Sequence, residues 1–229
     1  MGKPPGIPGV DPLEPVEEEP MNDFSGFRTV PTTTLADLLG REQVMDSGIR
    51  PLWSPVPRVA GPAFTVRCPP GDNLMLHAAV HRAEPGAVIV VESGDLDYAL
   101  AGGNVCAVAR RRGVAAIVAD GLIRDLGEVR EAGFPVFARG VIPIPGSKAA
   151  VAPLNGPVRC GGVTVRAGDV VVADEEGVVV TPGPGDRQQQ VLADARKKLA
   201  KEADETLDAW EAAHRARIDA ILREQGFMG

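Results

Sequence analysis

Between Ala87 and Gly140 the chain alternates short, uninterrupted apolar runs with segments of helical pattern, and this alternation limits the folds open to it. AVIVVE, VAAIVA and FPVFARG read as strands. NVCAVARRR, opened by Gly102-Gly103-Asn104, and DLGEVREAG read as the helices between them. A strand that is apolar at every position needs cover on both faces. That requirement points to buried, largely parallel pairing in an α/β sheet.

The flanking segments fit such a core. RVAGPAFTVRC alternates and predicts a strand over 58–68, and Asp72 caps a helix, DNLMLHAAVHRA, with Leu74, Met75, Ala78 and Ala79 turned inward. Thr32-Thr33-Thr34 before LADLL predicts a capped helix with Leu35, Leu38 and Leu39 as its apolar face. After Pro143 the pattern changes, and VRCGGVTVRAGDVVVADEEGVVVTP predicts antiparallel hairpins with Gly-Gly and Glu-Glu-Gly turns. Residues 187–229 predict one long helix, closed by Gly226. Its narrow stripe of Leu192, Ala195, Leu199, Ala203, Leu207, Trp210, Ile218 and Ile221 suits packing along a neighbouring subunit. Residues 1–24 are rich in proline and acid and predict a disordered arm. Its Asp11, Glu14, Glu17, Glu18 and Glu19 against Lys3 supply over half of the chain's net charge of −7. The α/β body is residues 25–186.

Charge and composition exclude several classes of function. A net charge of −7 argues against a nucleic-acid binder. No apolar run approaches the ~18 residues of a membrane span, and the first residues lack the apolar stretch of a signal peptide. Cys68, Cys106 and Cys160 are scattered in no metal-ligand spacing, which suits a reduced, cytoplasmic chain. Of 24 basic residues only Lys3, Lys148, Lys197, Lys198 and Lys201 are lysines, so candidates for a Schiff base are few. Only Lys148 lies outside the tails and terminal helix, in the exposed-looking PGSKAA.

Two segments at the C-terminal ends of strands could carry chemistry, since open α/β sheets place ligands there. Gly102, Gly103, Asn104 and Val105 open a helix whose free N–H groups and dipole suit a small carboxylate or phosphate, although Gly-Gly with Asn104 also makes a plain turn. In Asp120-Gly121-Leu122-Ile123-Arg124-Asp125, Arg124 offers a planar fork to a carboxylate or enolate oxygen, and Asp125 a hard oxygen ligand for a divalent cation. The plainer alternative is that Asp125 caps the next helix and Arg124 pairs with a nearby carboxylate. His77 and His81, one turn apart, form a metal-capable spacing without the glutamate of a zinc-protease helix, and read as a partly buried helix face.

GDNLMLHAAV, PGAVIVVE, GGNVCAVARRRGVAAIVADGLIRD and GFPVFARG, in this order and followed by RAGDVVVADEEGVVVTP, resemble the RraA-like family. That family includes the 4-hydroxy-4-methyl-2-oxoglutarate/4-carboxy-4-hydroxy-2-oxoadipate aldolases. The resemblance covers about residues 30–205. It implies a layered α/β/α domain with a mixed sheet, assembled as a homotrimer or homohexamer. It also implies a class II lyase, using Mg²⁺ or Mn²⁺, that cleaves 4-hydroxy-2-oxo acids or oxaloacetate to pyruvate through a metal-stabilised enolate. By this resemblance the amides of Gly102, Gly103, Asn104 and Val105 hold the substrate carboxylate, Arg124 contacts the keto or enolate oxygen, and Asp125 binds the metal. Glu202, from the terminal helix of a neighbouring subunit, completes the site, with Glu205 a poorer match.

The chain departs from the family pattern at Gly103, where the family's aldolases carry an aspartate that orders water at the metal. Glu92 stands where an aspartate is usual, and Asp95 or Asp97 is a candidate to compensate. The partner implied is a small 2-oxo acid, not nucleic acid or membrane. The other function open to the family is that of a non-catalytic regulator binding a ribonuclease or other protein. A methyltransferase reading has no motif behind it, for no Gly-rich nucleotide loop with a following ribose-binding acid is present.

Overall fold

The computed structural model describes residues 24–181, 183 and 185–227, so all but the last residue of the proline-rich arm lies outside the described residues. The elements run α1 (Thr32–Leu39), β1 (Arg50–Pro51), β2 (Val59–Cys68), α2 (Leu74–Val80), β3 (Val88–Ser93), β4 (Ala99–Ala101), α3 (Gly103–Arg111), β5 (Ala116–Ile123), α4 (Leu126–Glu131) and β6 (Val136–Val141). They continue through β7 (Val158–Cys160), β8 (Val163–Val165), β9 (Val170–Asp174), β10 (Gly177–Thr181), α5 (Asp186–Ala203) and α6 (Leu207–Glu224).

The main sheet has the order β1-β6-β5-β3-β2-β9-β10, with β4 paired to β5 beyond the end of β3. Its centre, β2-β3-β5-β6, is parallel, and β1, β9 and β10 are antiparallel. The apolar runs are continuous because both faces are covered. Ile89, Val91, Ile117, Ala119, Val136 and Ala138 pack on Leu76, Val80, Cys106, Ala109 and Val129 from α2, α3 and α4. Their sequence neighbours Val88, Val90, Ala116, Val118 and Phe137 point the other way, onto Val158, Cys160, Val163 and Val165 of the separate β7–β8 hairpin. Burying each such Val, Ile or Phe side chain is worth roughly 1.5–3 kcal/mol. A third cluster joins Leu35 of α1 and Ala195 of α5 to Val170, Val172 and Val179. The fold is therefore the layered α/β domain with a mixed sheet and C-terminal helices that the sequence predicts, and the β7–β8 hairpin supplies the layer opposite α2–α4.

Some local expectations change. The terminal helix is two helices, because the chain breaks at Asp204–Thr206 and Thr206 caps α6 by accepting the Ala209 N–H at 3.3 Å. The buried face of α2 is Met75, Leu76, Ala79 and Val80, one residue on from the expected Leu74, Met75, Ala78 and Ala79, and the helix stops before His81. In α1 only Leu35 of the three leucines is buried. No threonine side chain caps it; Asp174 reaches from β9 to take the Thr32 N–H at 3.1 Å and the Thr32 hydroxyl at 2.6 Å. Arg139, from the PVFARG motif, holds Asp46 through two bonds of 3.1 and 2.9 Å and Asp120 through its Nε. Asp120 in turn accepts the Gly161 N–H at 2.8 Å, tying the β7–β8 turn to the sheet.

Candidate functional site

Two loops leave the sheet side by side, one after β4 and one after β5, because those strands are parallel neighbours. The first is Gly102, which precedes α3 in an extended conformation. The second is Arg124-Asp125. Asp125 takes a left-handed backbone, φ 58° and ψ 39°, which costs an L-residue roughly 1 kcal/mol or more and is tolerated best by Asn and Asp. Two bonds hold it there: the Arg124 N–H donates to the Ala101 carbonyl at 2.9 Å, and the Asp125 carboxylate accepts the Gly103 N–H at 3.1 Å. Gly102 has to be glycine for this approach, because a Cβ there would lie 2.4 Å from Asp125 Oδ2.

These residues form one wall of a cleft of about 70 Å³, with Gly102, Asn104 and Val105 beside Arg124 and Asp125. It is far smaller than the roughly 300–1,000 Å³ of sites for drug-sized ligands. Arg124 Nε lies 3.5 Å from Asp125 Oδ2, and both side chains are about two-fifths exposed. The Arg124 Nη groups have no partner among the described residues, so they remain available to an oxygen in the cleft. The Asn104 and Val105 amides stand in the first turn of α3, where no intrahelical acceptor exists.

The cleft is also lined by Asn73, His77 and Lys148, which the sequence does not associate with the site. Asn73 is 3% exposed, and its Nδ2 donates to the Ala99 carbonyl at 3.1 Å, yet its Oδ1 has no partner. Burial pushes the His77 imidazole below its usual pKa, and the nearby Lys148 charge pushes it the same way. Lys148 is exposed, as expected, but its loop is fixed. The Asp72 carboxylate accepts from the Leu74 N–H at 2.8 Å, the Ser147 hydroxyl at 2.8 Å, and the Ala149 and Ala150 N–H groups at 2.6 and 3.2 Å. Burial opposes the charge on Asp72, but these donors outweigh it and hold the pKa at about 2. Asp72 thus does more than cap a helix.

Other expected residues are not brought to the cleft. Glu202 pairs with Lys198 at 3.0 Å, in a separate groove between α5 and α6 that also contains Glu205 and Trp210. His81 faces a different surface depression from His77, so the two do not form a ligand pair. Glu92 accepts from Arg67 and from the Arg159 N–H. Asp95 caps its own loop through the Gly71, Asp97 and Tyr98 N–H groups, and Asp97 is exposed in that loop. None of these three stands at Gly103. The carboxyl group that does is Glu128, from α4, whose Oε2 lies 1.9 Å from where a Cβ on Gly103 would be.

Among the described residues no three His, Cys, Asp or Glu side chains form a metal cage. An open site suits Mg²⁺ or Mn²⁺ nonetheless, since such ions keep several waters and take one or two carboxylates plus substrate oxygens. The hard oxygens of Asp125, held rigidly beside a cleft with unused donors, fit that kind of site. The cysteines are buried and unpaired, and burial pushes the Cys106 thiol up to about 12, so none offers a thiolate. Among the described residues no helix is long and apolar enough to cross a membrane.

Comparison with known proteins shows the family of the chain. The RraA-like family model, described as aldolase/RraA, matches residues 32–180. A protein of Halalkalibacterium halodurans named "Putative 4-hydroxy-4-methyl-2-oxoglutarate aldolase" is 38% identical over 203 residues, covering 88% of this chain and 91% of that protein. Among solved structures, Streptomyces coelicolor RraAS2, described as an unusual member of the RNase ES inhibitor RraA family, superposes with a TM-score of 0.69. It is 31% identical, with 79% of this chain and 93% of that one covered. The RNA-processing inhibitor RraA from Thermus gives a TM-score of 0.62 at 29% identity, over 68% of this chain and 94% of that one. The chain belongs to the RraA-like family.

Proposed function

We propose that this protein is a divalent-metal-dependent carbon–carbon lyase that cleaves 4-hydroxy-2-oxo acids, or decarboxylates oxaloacetate, to give pyruvate. The observation that carries this reading is the convergence of Arg124, Asp125 and the first amides of α3 on one small cleft. The relatives' aldolase names point the same way.

The α3 amides of Asn104 and Val105 bind the C1 carboxylate, helped by the positive end of the helix. Asp125 would hold a divalent cation, which would supply Lewis-acid polarisation of the 2-oxo group. Arg124 directs its Nη groups at the C2 oxygen, where negative charge develops. As the C3–C4 bond breaks, its electron pair moves into the C2–C3 bond and the carbonyl electrons move onto the C2 oxygen. C4 becomes a carbonyl as its hydroxyl proton leaves, or departs as CO₂ from oxaloacetate. C3 then takes a proton to give pyruvate. A fixed donor at a developing oxyanion is worth about 10²–10³ in rate. An exposed Lys148 lacks the desolvation a Schiff-base amine needs, which favours the metal route.

Assembly belongs to the same reading. Leu207, Trp210, Ile218 and Ile221 of α6 are exposed in one chain, as a helix that packs on a neighbour in a homotrimer or homohexamer leaves them, and that neighbour would contribute Glu202. The test is a pyruvate-coupled assay with oxaloacetate and 4-substituted 4-hydroxy-2-oxo acids, with Mn²⁺ and with EDTA. Metal-dependent release that Asp125→Ala abolishes supports the proposal. Activity that survives both EDTA and Asp125→Ala overturns it.

A further inference from the structure

We propose that an arginine-lined depression, at the far end of the sheet from the cleft, is the docking surface for this chain's own acidic arm, with Glu17, Glu18 and Glu19 as the segment it holds. The proposal is independent of the lyase reading. α2 and α3 end where β3 and β5 are about to begin, and between those helix ends lies a depression of about 520 Å³. Its lining includes His81, Arg82, Glu84, Pro85, Arg111 and Arg112, so three guanidinium groups face one acid. Arg112 donates from Nε to the Val80 carbonyl and from Nη2 to the His81 carbonyl, both at 2.9 Å. Arg82 donates from Nη1 to the Ala78 carbonyl at 3.1 Å. These bonds close the end of α2 and hold the two forks in place, but they leave more than half of each fork's N–H donors unused. All three arginines are exposed, and none forms an ion pair among the described residues. A fork already held in position loses less freedom when a carboxylate binds it.

Charge, position and reach select the arm as the occupant. Asp11, Glu14, Glu17, Glu18 and Glu19 stand against Lys3 alone, so the arm carries the sign that the depression lacks. Phe24, the first described residue, opens the turn Phe24–Thr29, in which Arg28 Nε donates to the Ala60 carbonyl at 3.5 Å. The next residue of β2, Gly61, lies so close to Gly86 that a Cβ on it would stand 2.0 Å from the Gly86 carbonyl oxygen. Glu84 and Pro85, which immediately precede Gly86, line the depression. The contacts therefore run from the root of the arm to the arginines across β2 alone. From Glu17 to Phe24 is seven residues, a span of up to about 25 Å, and the thirteen residues from Asp11 reach up to about 45 Å. The tether also raises the local concentration of these carboxylates to the order of mM, so several weak surface pairs are enough to hold the arm.

The experiment introduces Pro20→Cys and Glu84→Cys into the full chain and follows their cross-linking by a short bis-maleimide. The native cysteines are buried and do not compete. On a denaturing gel an intrachain product keeps the mass of one chain, and an interchain product doubles it. Expected is an intrachain product whose rate falls about tenfold in 1 M NaCl, where the Debye length is about 3 Å. Glu17→Lys/Glu18→Lys/Glu19→Lys should slow it about tenfold, as should Arg82→Glu/Arg111→Glu. The two reversals combined should restore the rate to within about threefold, since the pairs re-form with their signs exchanged. Arg112 is left alone because it closes α2, and each variant is checked by thermal melt. The arm variant and the salt series touch no described side chain, so they carry the test if the arginine variant fails to fold. A rate that neither salt nor the arm reversal moves is that of an arm merely tethered, and overturns the proposal. An interchain product alone overturns it by placing the arm on a second copy, and so does a folded combined variant with no recovery.

Discussion

The carboxylate of Asp125 accepts the backbone N–H of Gly103 at 3.1 Å, across 22 residues of sequence. That bond locks the loop after β5 to the start of α3, so that a single side chain orders both the proposed metal-binding and the proposed carboxylate-binding ends of the cleft.

Asp125→Asn should separate these two roles. Asn tolerates the left-handed backbone and can still accept the Gly103 N–H, so the melting temperature should change by no more than a few degrees. Removing the anionic oxygen should lower metal-dependent turnover by at least 10²-fold, and calorimetry with Mn²⁺ should show the binding lost. Metal binding as in wild type would place the cation elsewhere.

Arg124→Lys keeps a positive charge but replaces a planar fork with a point charge on a flexible stem. We expect kcat to fall about 10²-fold with a smaller change in KM, because the contact matters most when the C2 oxygen becomes anionic. Steady-state kinetics on the preferred acid will show whether the loss sits in kcat.

Asp72→Asn should loosen the loop that carries Lys148. Losing charged acceptance from four donors is expected to cost about 2 kcal/mol near pH 7. The sign with pH follows from the pKa of about 2, which lies below the ordinary value of 3.8. The stabilisation is complete above about pH 4 and is lost as pH falls through 2. Wild-type melting temperature should therefore drop across that interval, and the variant should show a shallower drop.

Glu202 can be tested by mixing chains. If a neighbour supplies it, the separate variants Asp125→Ala and Glu202→Ala are each impaired, yet oligomers reassembled from both recover part of the activity, since some sites then contain neither change. Recovery is read in the pyruvate assay after denaturation and joint refolding. No recovery in verified mixed oligomers would remove Glu202 from the site.

The sheet was legible in the sequence because its central parallel strands hold unbroken apolar runs, a pattern that double-sided burial explains. Arg124, Asp125 and the glycines at the start of α3 were legible as a group because strand ends collect ligands. Less could be read where the deciding partner is remote. The cap of α1 comes from Asp174, 142 residues away. The three-residue β4 is too short to announce itself, and the break before α6 depends on one threonine in an otherwise continuous helical pattern. The place of Glu128 was missed for a similar reason: its side chain reaches Gly103 from another helix. The available signal was a glycine in a helix's first turn where nothing local requires one.

The loop from Ser147 to Ala150 is fastened mainly by main-chain N–H groups, meeting one buried carboxylate at Asp72. Every residue except proline supplies such a group, so the loop's side chains can change without moving its backbone. On the proposed lyase reading, the part of the cleft that Lys148 lines can thus be retailored, one substitution at a time, while Arg124 and Asp125 stay in place. A lineage could in this way exchange one substrate for another without rebuilding the chemistry.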